Sequence, residues 1–183
     1  MPRLFTGIPI SAEINGQLPA LVPDSPDLRA VPVQNLHLTL HFLGDVSEGH
    51  ASDLADALDE IPMPRVIVQL TTGGVFCQTA GAGVLWVGLL SDPAVQKLRD
   101  LQRQQRDVLL RLGLRCEDRE WQPHVTVARF RRLNEPLVQQ FLLNCSGLLL
   151  PAEMSECVLW ESAAGQSHST YTARRRYQTT SPS

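Results

Sequence analysis

The chain has 183 residues, which is enough for one domain or two small lobes with a substantial buried core. A hydrophobic content of 43% and a charged content of 19% are typical of an ordinary soluble globular protein. The net charge of −3 excludes a general electrostatic attraction to nucleic acid, so any contact with that polyanion must be local.

Targeting, membrane-spanning and zinc-binding segments are not predicted. The apolar run at the start is too short for a signal peptide, and Pro9 interrupts it. No stretch approaches the roughly 20 apolar residues of a membrane span. The four cysteines form no Cys-x-x-Cys pair, which argues against a zinc site. A reduced, cytoplasmic protein is expected.

Alternation and capping patterns predict five elements in the first part of the chain: strand 3–8, helix 11–22, strand 36–43, helix 48–61 and strand 65–71. The helix over 11–22 is the weakest of them, because Gly16 and Pro19 interrupt it. The next helix starts after Ser47 and stops at Pro62.

The Gly-rich segment 73–83 is predicted to connect this part to a second series: strand 84–89, helix 93–112, strand 122–129, helix 135–145 and strand 153–160. Asp92 can cap the long helix, Pro93 suits its first position, and Gly113 fits just past its end. Asn134 precedes the next helix, and a last strand is predicted over 170–177.

The two series have the same order of elements, which indicates an internal repeat of about 3–71 and 84–160 within one domain that spans 1–183. Each repeat has a His-x-Thr string on its second strand. Two lobes built in this way are expected to turn their second strands towards a shared cleft.

The two strings read His-Leu-Thr-Leu from His37 and His-Val-Thr-Val from His124. Successive side chains of a strand point to opposite faces, so the histidine and threonine of each string share one face. The apolar residues share the other. Two imidazoles that face each other are suited to acid–base chemistry near neutral pH.

Other chemistries need residues that the strings lack. A metal site usually has three or more ligands. His41, on the same predicted strand face as His37, is a conceivable further ligand but is expected at the cleft edge or in solvent. A nucleophilic serine or cysteine is disfavoured, because the chain has no Gly-x-Ser-x-Gly elbow and no cysteine near either string. Metal-free acid–base catalysis remains. Threonine hydroxyls can donate hydrogen bonds to phosphoryl oxygens, so phosphodiester cleavage fits better than acyl transfer.

The segments Asn35 to Gly44 (NLHLTLHFLG) and Gln122 to Arg129 (QPHVTVAR) resemble the two signatures of the 2H phosphoesterase superfamily. More closely, the chain is similar to the RNA 2′,3′-cyclic phosphodiesterases, historically called 2′-5′ RNA ligases. The opening Arg3-Leu4-Phe5 and the late Tyr171 also match that family. The resemblance implies an α+β, bilobal and duplicated fold, in which two antiparallel-rich sheets flank a central cleft and helices lie outside. It also implies no metal and no cofactor.

In such enzymes a ribose 2′,3′-cyclic phosphate is opened to a 2′-phosphomonoester. The resemblance makes His37 the proton donor to the leaving 3′ oxygen and His124 the proton acceptor that activates water. It assigns Thr39 and Thr126 to the phosphate oxygens. The symmetry of the motifs does not by itself separate donor from acceptor. The same site can run backward and join a cyclic phosphate end to a 5′-hydroxyl end.

Four further residues are expected to bind substrate: Arg129, Phe42, Phe5 and Tyr171. Arg129 suits a phosphate, but strict alternation puts it opposite His124, so it needs a strand end or a bulge to reach the cleft. The aromatic residues can stack on a nucleobase, although Phe42 shares the parity of the core residues. A surface salt bridge for Arg129 and core packing for Phe42 are the structural alternatives.

Two other functions stay open from the sequence. One is a phosphodiesterase for a small cyclic nucleotide such as ADP-ribose 1″,2″-cyclic phosphate, and the other is a non-catalytic module that binds RNA ends. The expected partner is an RNA end or nucleotide with a 2′,3′-cyclic phosphate, bound by a monomer without membrane contact. The basic run 174–176 either contacts RNA or faces solvent.

Overall fold

The computed structural model describes residues 1–78, 81–117, 119–165 and 168–179, which form an α+β fold of nine strands and four α-helices. The strands are β1 (Arg3–Pro9), β2 (Leu28–Ala30), β3 (His37–Asp45), β4 (Val66–Cys77), β5 (Gly83–Leu89), β6 (His124–Phe130), β7 (Leu150–Met154), β8 (Glu156–Ala163) and β9 (Thr170–Gln178). The helices are α1 (Ala12–Asn15), α2 (Glu48–Asp59), α3 (Pro93–Arg111) and α4 (Glu135–Asn144).

Side-chain caps define the starts of the three long helices, as predicted. Ser47, Asp92 and Asn134 each accept a hydrogen bond from a backbone N–H of the first turn. The predicted helix over 11–22 is wrong in extent: α1 ends before Gly16, and Pro19 begins a separate 3₁₀ turn. None of the described helices combines the length and the apolar character needed to cross a membrane.

The described strands pair in the order β7-β4-β5-β6-β3-β1-β8-β9, with β2 also beside β6, and the pairs are antiparallel. The sheet has a first half, β3-β1-β8-β9, and a second half, β7-β4-β5-β6. The halves meet where β6 lies beside β3, and Leu38 pairs with Val125 at that junction. The antiparallel, duplicated fold is confirmed. The two expected sheets are the two halves of one continuous sheet.

The halves exchange one strand, which explains two errors in the predicted organisation. β4 belongs to the first repeat but pairs with β5 and β7 of the second half, while β8 belongs to the second repeat but pairs with β1 and β9 of the first half. The segment 73–83 is therefore not a linker, because most of it belongs to the β4–β5 hairpin. The strand predicted over 153–160 is two strands, which separate at Ser155 and pair with different neighbours.

The apolar face of α3 packs onto the sheet through the buried residues Val95, Leu98, Leu101 and Val108. One polar residue, Gln105, lies within that face at 2% exposure. Its carbonyl accepts from Thr6 Oγ1 at 2.8 Å, and its amide donates to Cys157 Sγ at 3.3 Å. A buried amide needs such partners. They fix α3 over β1 and β8, next to the strand that carries the first motif.

Candidate active site

β3 and β6 begin on the two motif histidines and have the same burial pattern over their first seven residues. The apolar residues of each motif are buried, at 0% and 3% for Leu38 and Leu40, while the histidine and threonine stay partly exposed. The predicted alternation of the His-x-Thr strings is therefore confirmed in both strands.

A β-bulge lies at the last residue of the motif in each strand and changes which side chains beyond it reach the cleft. Leu40 is the extra residue of β3 where it pairs with β1, and Val127 is the extra residue of β6 where it pairs with β5. A bulge reverses the alternation beyond it. Phe42 and Arg129, which occupy equivalent positions in the two strands, are therefore exposed on the side of the histidines.

These bulges correct the expected parity of β3. Phe42 does not point into the core but is 53% exposed. His41, expected at the cleft edge or in solvent, lines the cleft but is only 6% exposed. The His41 Nε2 lies 2.8 Å from the carbonyl oxygen of Gln102 in α3. Burial lowers the pKa of His41. Arg129 needs a bulge to reach the cleft, and the bulge at Val127 provides it.

The pairing of Leu38 with Val125 fixes the relative placement of the motifs. Continued by one residue, the antiparallel register brings His37 towards Thr126 and His124 towards Thr39. In a regular antiparallel pair the Cβ atoms of diagonal residues, the positions of the two histidines, are expected about 7–8 Å apart. This spacing leaves room for one phosphoryl group between the two rings.

The same hydrogen bond orients both imidazoles. The His37 Nδ1 lies 2.6 Å from the carbonyl oxygen of Asn35, and the His124 Nδ1 lies 2.7 Å from that of Gln122. A carbonyl oxygen only accepts, so Nδ1 must carry the proton in both rings. In the neutral state Nε2 is then the basic nitrogen of each histidine.

Aromatic rings support each histidine. Phe5 and Trp160 are stacked at 5.1 Å, and their centroids lie 5.0 and 5.4 Å from the His37 ring. In the other half Phe76 and Trp86 are stacked with their centroids 4.9 Å apart. These centroids lie 5.0 and 5.9 Å from that of the His124 ring. Rings that pack around an imidazole exclude water from it and restrict its rotation.

Burial among these rings shifts the proton affinity of both histidines. Desolvation lowers the pKa of His37 to about 4, and the positive charges of Arg129 and His124 act in the same direction. Burial also lowers the pKa of His124, with a smaller contribution from Arg119. The neutral form of each ring is thus favoured until an anion enters the site.

The motif residues line a cavity of about 840 Å³. His37, Thr39, His124 and Thr126 all contribute to its wall, and so do the sequence-predicted binding residues Arg129, Phe42 and Tyr171. The ring of Tyr171 contacts His37 edge-on, with centroids 5.5 Å apart.

Phe5 is the exception among the predicted binding residues. Its side chain is 3% exposed, and it packs against His37 and Trp160 without lining the cavity. The expectation that Phe5 stacks on a nucleobase is corrected, because no face of the ring is accessible. Its position makes it a support for His37.

All three tryptophans of the chain lie around the motifs, a placement that the sequence patterns did not predict. Besides Trp86 and Trp160, Trp121 donates its indole N–H to the carbonyl oxygen of Thr39 at 2.9 Å. Arg99 donates to the Trp121 carbonyl at 3.0 Å. The chain has only three tryptophans. This scarcity, together with the duplicated motifs, is the signal that could have indicated a role for them at the site.

The arginines 174–176 are paired with acidic side chains and do not line the cavity. Arg174 contacts Glu48 at 2.6 Å and Arg176 contacts Glu156 at 2.8 Å, while Arg175 contacts Asp56 and Asp59. These ion pairs connect β9 to α2 and β8.

Among the described residues no group of three or more His, Cys, Asp or Glu side chains could hold a metal ion.

A model of the LigT-like phosphoesterase family matches the chain twice in succession, over residues 8–86 and 87–171. Each match contains one His-x-Thr strand, so the chain is built from two copies of one phosphoesterase unit. The chain belongs to the LigT-like phosphoesterase family.

Individual relatives support this assignment. The chain is 27% identical to the RNA 2′,3′-cyclic phosphodiesterase of Escherichia coli over 97% of both proteins. It is 32% identical to that of Aeropyrum pernix over 57% of this chain and 58% of that protein. A crystal structure of Escherichia coli LigT complexed with 3′-AMP superimposes with a TM-score of 0.75 at 26% identity, covering 98% of this chain and 99% of that chain.

Proposed function

We propose that the protein hydrolyses RNA 2′,3′-cyclic phosphate ends to 2′-phosphomonoesters, with His37 and His124 as a proton donor and acceptor pair. The observation that carries the proposal is the matched placement of two His-x-Thr pairs on one cavity, with Nδ1 of both imidazoles engaged by backbone. The curated relatives, which are RNA 2′,3′-cyclic phosphodiesterases, support the choice of substrate.

In the proposed reaction a water oxygen attacks phosphorus opposite the 3′ oxygen. Nε2 of His124 takes the proton of this water, the bond between phosphorus and the 3′ oxygen breaks, and His37 gives its Nε2 proton to that oxygen. One water is consumed, and the product carries a 2′-phosphate and a free 3′-hydroxyl. His37 is left neutral and His124 protonated, and proton exchange with solvent restores the starting state.

Thr39, Thr126 and Arg129 stabilise the charge on the phosphoryl oxygens in this scheme. The two hydroxyls donate one hydrogen bond each, and the guanidinium adds a two-pronged, permanently charged donor. Phe42 and Tyr171 offer exposed ring surface for the nucleobase. The substrate's negative charge also favours the protonated imidazole, which offsets the lowered pKa values of the free protein.

Replacement of the leaving oxygen separates the two histidine roles. Each of His37→Ala and His124→Ala is expected to lower turnover of a nucleoside 2′,3′-cyclic phosphate by about 10²–10⁴. A cyclic substrate with sulfur in place of the 3′ oxygen has a leaving group that needs no proton donor. It should restore the rate of His37→Ala but not that of His124→Ala. The opposite pattern would exchange the assigned roles, and full activity of both variants would refute the site.

The same assays distinguish the alternatives. Binding of RNA ends without turnover would indicate a binding module, and turnover of ADP-ribose 1″,2″-cyclic phosphate with inert RNA ends would indicate a small-molecule enzyme. An added 5′-hydroxyl RNA tests the reverse 2′-5′ ligation. We further propose a cytoplasmic monomer; the four cysteines are unpaired thiols, as in a reducing compartment. Sedimentation equilibrium checks the monomer.

A further inference from the structure

A second groove opens beside the active-site cavity. Its volume is about 680 Å³, and it lies between β2, the start of β5 and the loop that leads from β6 to α4. The groove and the cavity share five wall residues: Arg29, Gln78, Gly83, Val84 and Arg129. The two spaces are therefore adjacent and share part of their wall.

Charge is distributed unevenly between the groove and the cavity. The charged groups that line the groove are one aspartate and four arginines, namely Asp27, Arg29, Arg129, Arg131 and Arg132. The remaining charged side chains of the cavity, Glu117, Arg119 and Glu120, include two acids, and Glu117 accepts a hydrogen bond from Arg119 at 2.7 Å. A chain with a net charge of −3 thus concentrates positive charge at one exit of its active site.

Arg131 and Arg132 are available to a ligand. Both are exposed, and no ion pair or hydrogen bond within the described part of the chain engages either side chain. The run 174–176 shows the opposite behaviour, since each of its arginines has a carboxylate partner. Asp27, the acid of the groove, accepts a hydrogen bond from the Asn134 amide at 3.3 Å.

Arg29 and Arg129 lie where the groove joins the cavity. They are directly opposite each other in the β2–β6 pair. Both guanidinium groups contribute positive charge at this junction. The charge of Arg129 also acts on His37, so this pair links the groove to the reacting centre.

We propose that the groove binds the phosphodiester backbone of the RNA strand that precedes the cyclic phosphate. Arg131 and Arg132 contact backbone phosphates, and the strand leaves the cavity at the arginine end, away from Glu117 and Glu120. The inference rests on the proposed function and sharpens it: the preferred substrate is the end of an RNA chain, not a free mononucleotide. Guanidinium groups suit this role because they present paired donors to phosphate.

The test compares two substrates, adenosine 2′,3′-cyclic phosphate and a hexaribonucleotide that ends in a 2′,3′-cyclic phosphate. The wild-type protein is expected to show a kcat/KM at least about ten-fold higher for the hexamer at low salt. Arg131→Gln/Arg132→Gln should reduce the ratio of the two kcat/KM values about ten-fold. The matched control, Arg175→Gln/Arg176→Gln, removes the same charge from carboxylate-paired positions and should preserve the ratio.

Binding supplies a readout that does not depend on turnover. Fluorescence anisotropy with a labelled hexamer ending in a 2′-phosphate gives the affinity at several salt concentrations. Each arginine that neutralises a phosphate contributes about 0.7 to the slope of log Kd against log salt concentration. The slope of the Arg131→Gln/Arg132→Gln variant should therefore be smaller by two such contributions. Reversal of charge in Arg131→Glu/Arg132→Glu should deepen the loss.

The outcomes separate the two proposals. If the wild-type protein hydrolyses neither substrate, the proposed function fails. If it hydrolyses both with equal kcat/KM, and neither the ratio nor the salt slope changes in the arginine variants, the function stands and the groove proposal is overturned.

Discussion

Leu38 and Val125 are the one residue pair that joins β3 to β6 within the described chain, and each lies between the histidine and the threonine of its motif. This pairing therefore sets the register of the two motifs relative to each other. A shift by one residue in either strand would turn one motif towards the core. Both side chains are 0% exposed, so packing opposes such a shift.

Removal of one threonine hydroxyl tests whether each motif binds the phosphoryl group. Thr39→Val and Thr126→Val keep the shape of the side chain and lose one hydrogen bond to a charged group. A bond of that kind contributes about 1.5–3 kcal/mol, so kcat/KM is expected to fall by about 10- to 100-fold in each variant. Thr172→Val, at an exposed position of β9, is the matched control. Wild-type kcat/KM in both motif variants would exclude the two-threonine contact.

The pH dependence of kcat/KM follows from the lowered pKa values of both histidines. This parameter reports the free enzyme, in which one ring must be protonated and the other neutral. Since burial lowers the pKa of His37 to about 4 and also lowers that of His124, the bell-shaped profile should have its optimum below pH 6.5.

The profile of kcat provides the comparison, because it reports the bound complex. The substrate anion raises the proton affinity of both rings, so the kcat optimum should lie at higher pH than that of kcat/KM. A kcat/KM that rises steadily from pH 5 to 9 is incompatible with paired histidine catalysis.

The two motifs, the helix caps and the repeat were readable from sequence because each depends on a local pattern. The strand exchange was not, since β4 and β8 look the same in sequence whichever half they join. The bulge at Val127 was one of two ways in which Arg129 could reach the cleft, so the sequence allowed for it. The bulge at Leu40 was not predicted. Phe42 carries no such signal, because an aromatic residue fits the core as well as the cleft.

Protein stability should decline in acid through His37. An unfolded histidine binds a proton near pH 6.5, whereas the folded ring resists it until about pH 4, so the unfolded state binds more protons between these values. The stability present at neutral pH is lost as the pH falls through this window. His41 and His124, whose pKa values are also lowered, act in the same direction.

Urea unfolding of His37→Gln at pH 7.5 and pH 5 measures this effect. The variant is expected to lose less free energy of unfolding on acidification than the wild-type protein. His50→Gln, at an exposed position of α2, removes an imidazole without this burial and should leave the difference unchanged. Equal losses in the wild-type protein and His37→Gln would contradict the buried, neutral state of that ring.

Chelation tests the proposed metal independence. Two imidazoles whose Nδ1 atoms are held by backbone, with hydroxyl and guanidinium donors nearby, supply proton transfer and charge stabilisation. Dialysis against EDTA should therefore leave kcat unchanged, and later addition of Mg²⁺, Mn²⁺ or Zn²⁺ should not raise it. A loss of activity that one of these ions restores would replace the proposed mechanism with a metal-assisted one.

Two glycine-to-alanine substitutions test whether the aromatic support of His124 matters for catalysis. A Cβ at Gly74 would lie 2.1 Å from Cζ2 of Trp86, so Gly74→Ala must displace the ring that packs against His124. Overpacking of this kind costs about 1–3 kcal/mol, and a displaced ring no longer holds the imidazole in position. Both the melting temperature and kcat are expected to fall.

Gly49→Ala is the matched substitution, because a Cβ there meets no atom within 4 Å and the residue lies in α2. Alanine in a helix stabilises by up to about 1 kcal/mol relative to glycine, so the melting temperature should rise slightly while kcat stays at the wild-type value. Thermal melts and steady-state rates of the two variants decide the point. If Gly74→Ala lowers the melting temperature but keeps the kcat and the pH profile of the wild-type protein, Trp86 stabilises the fold without positioning His124.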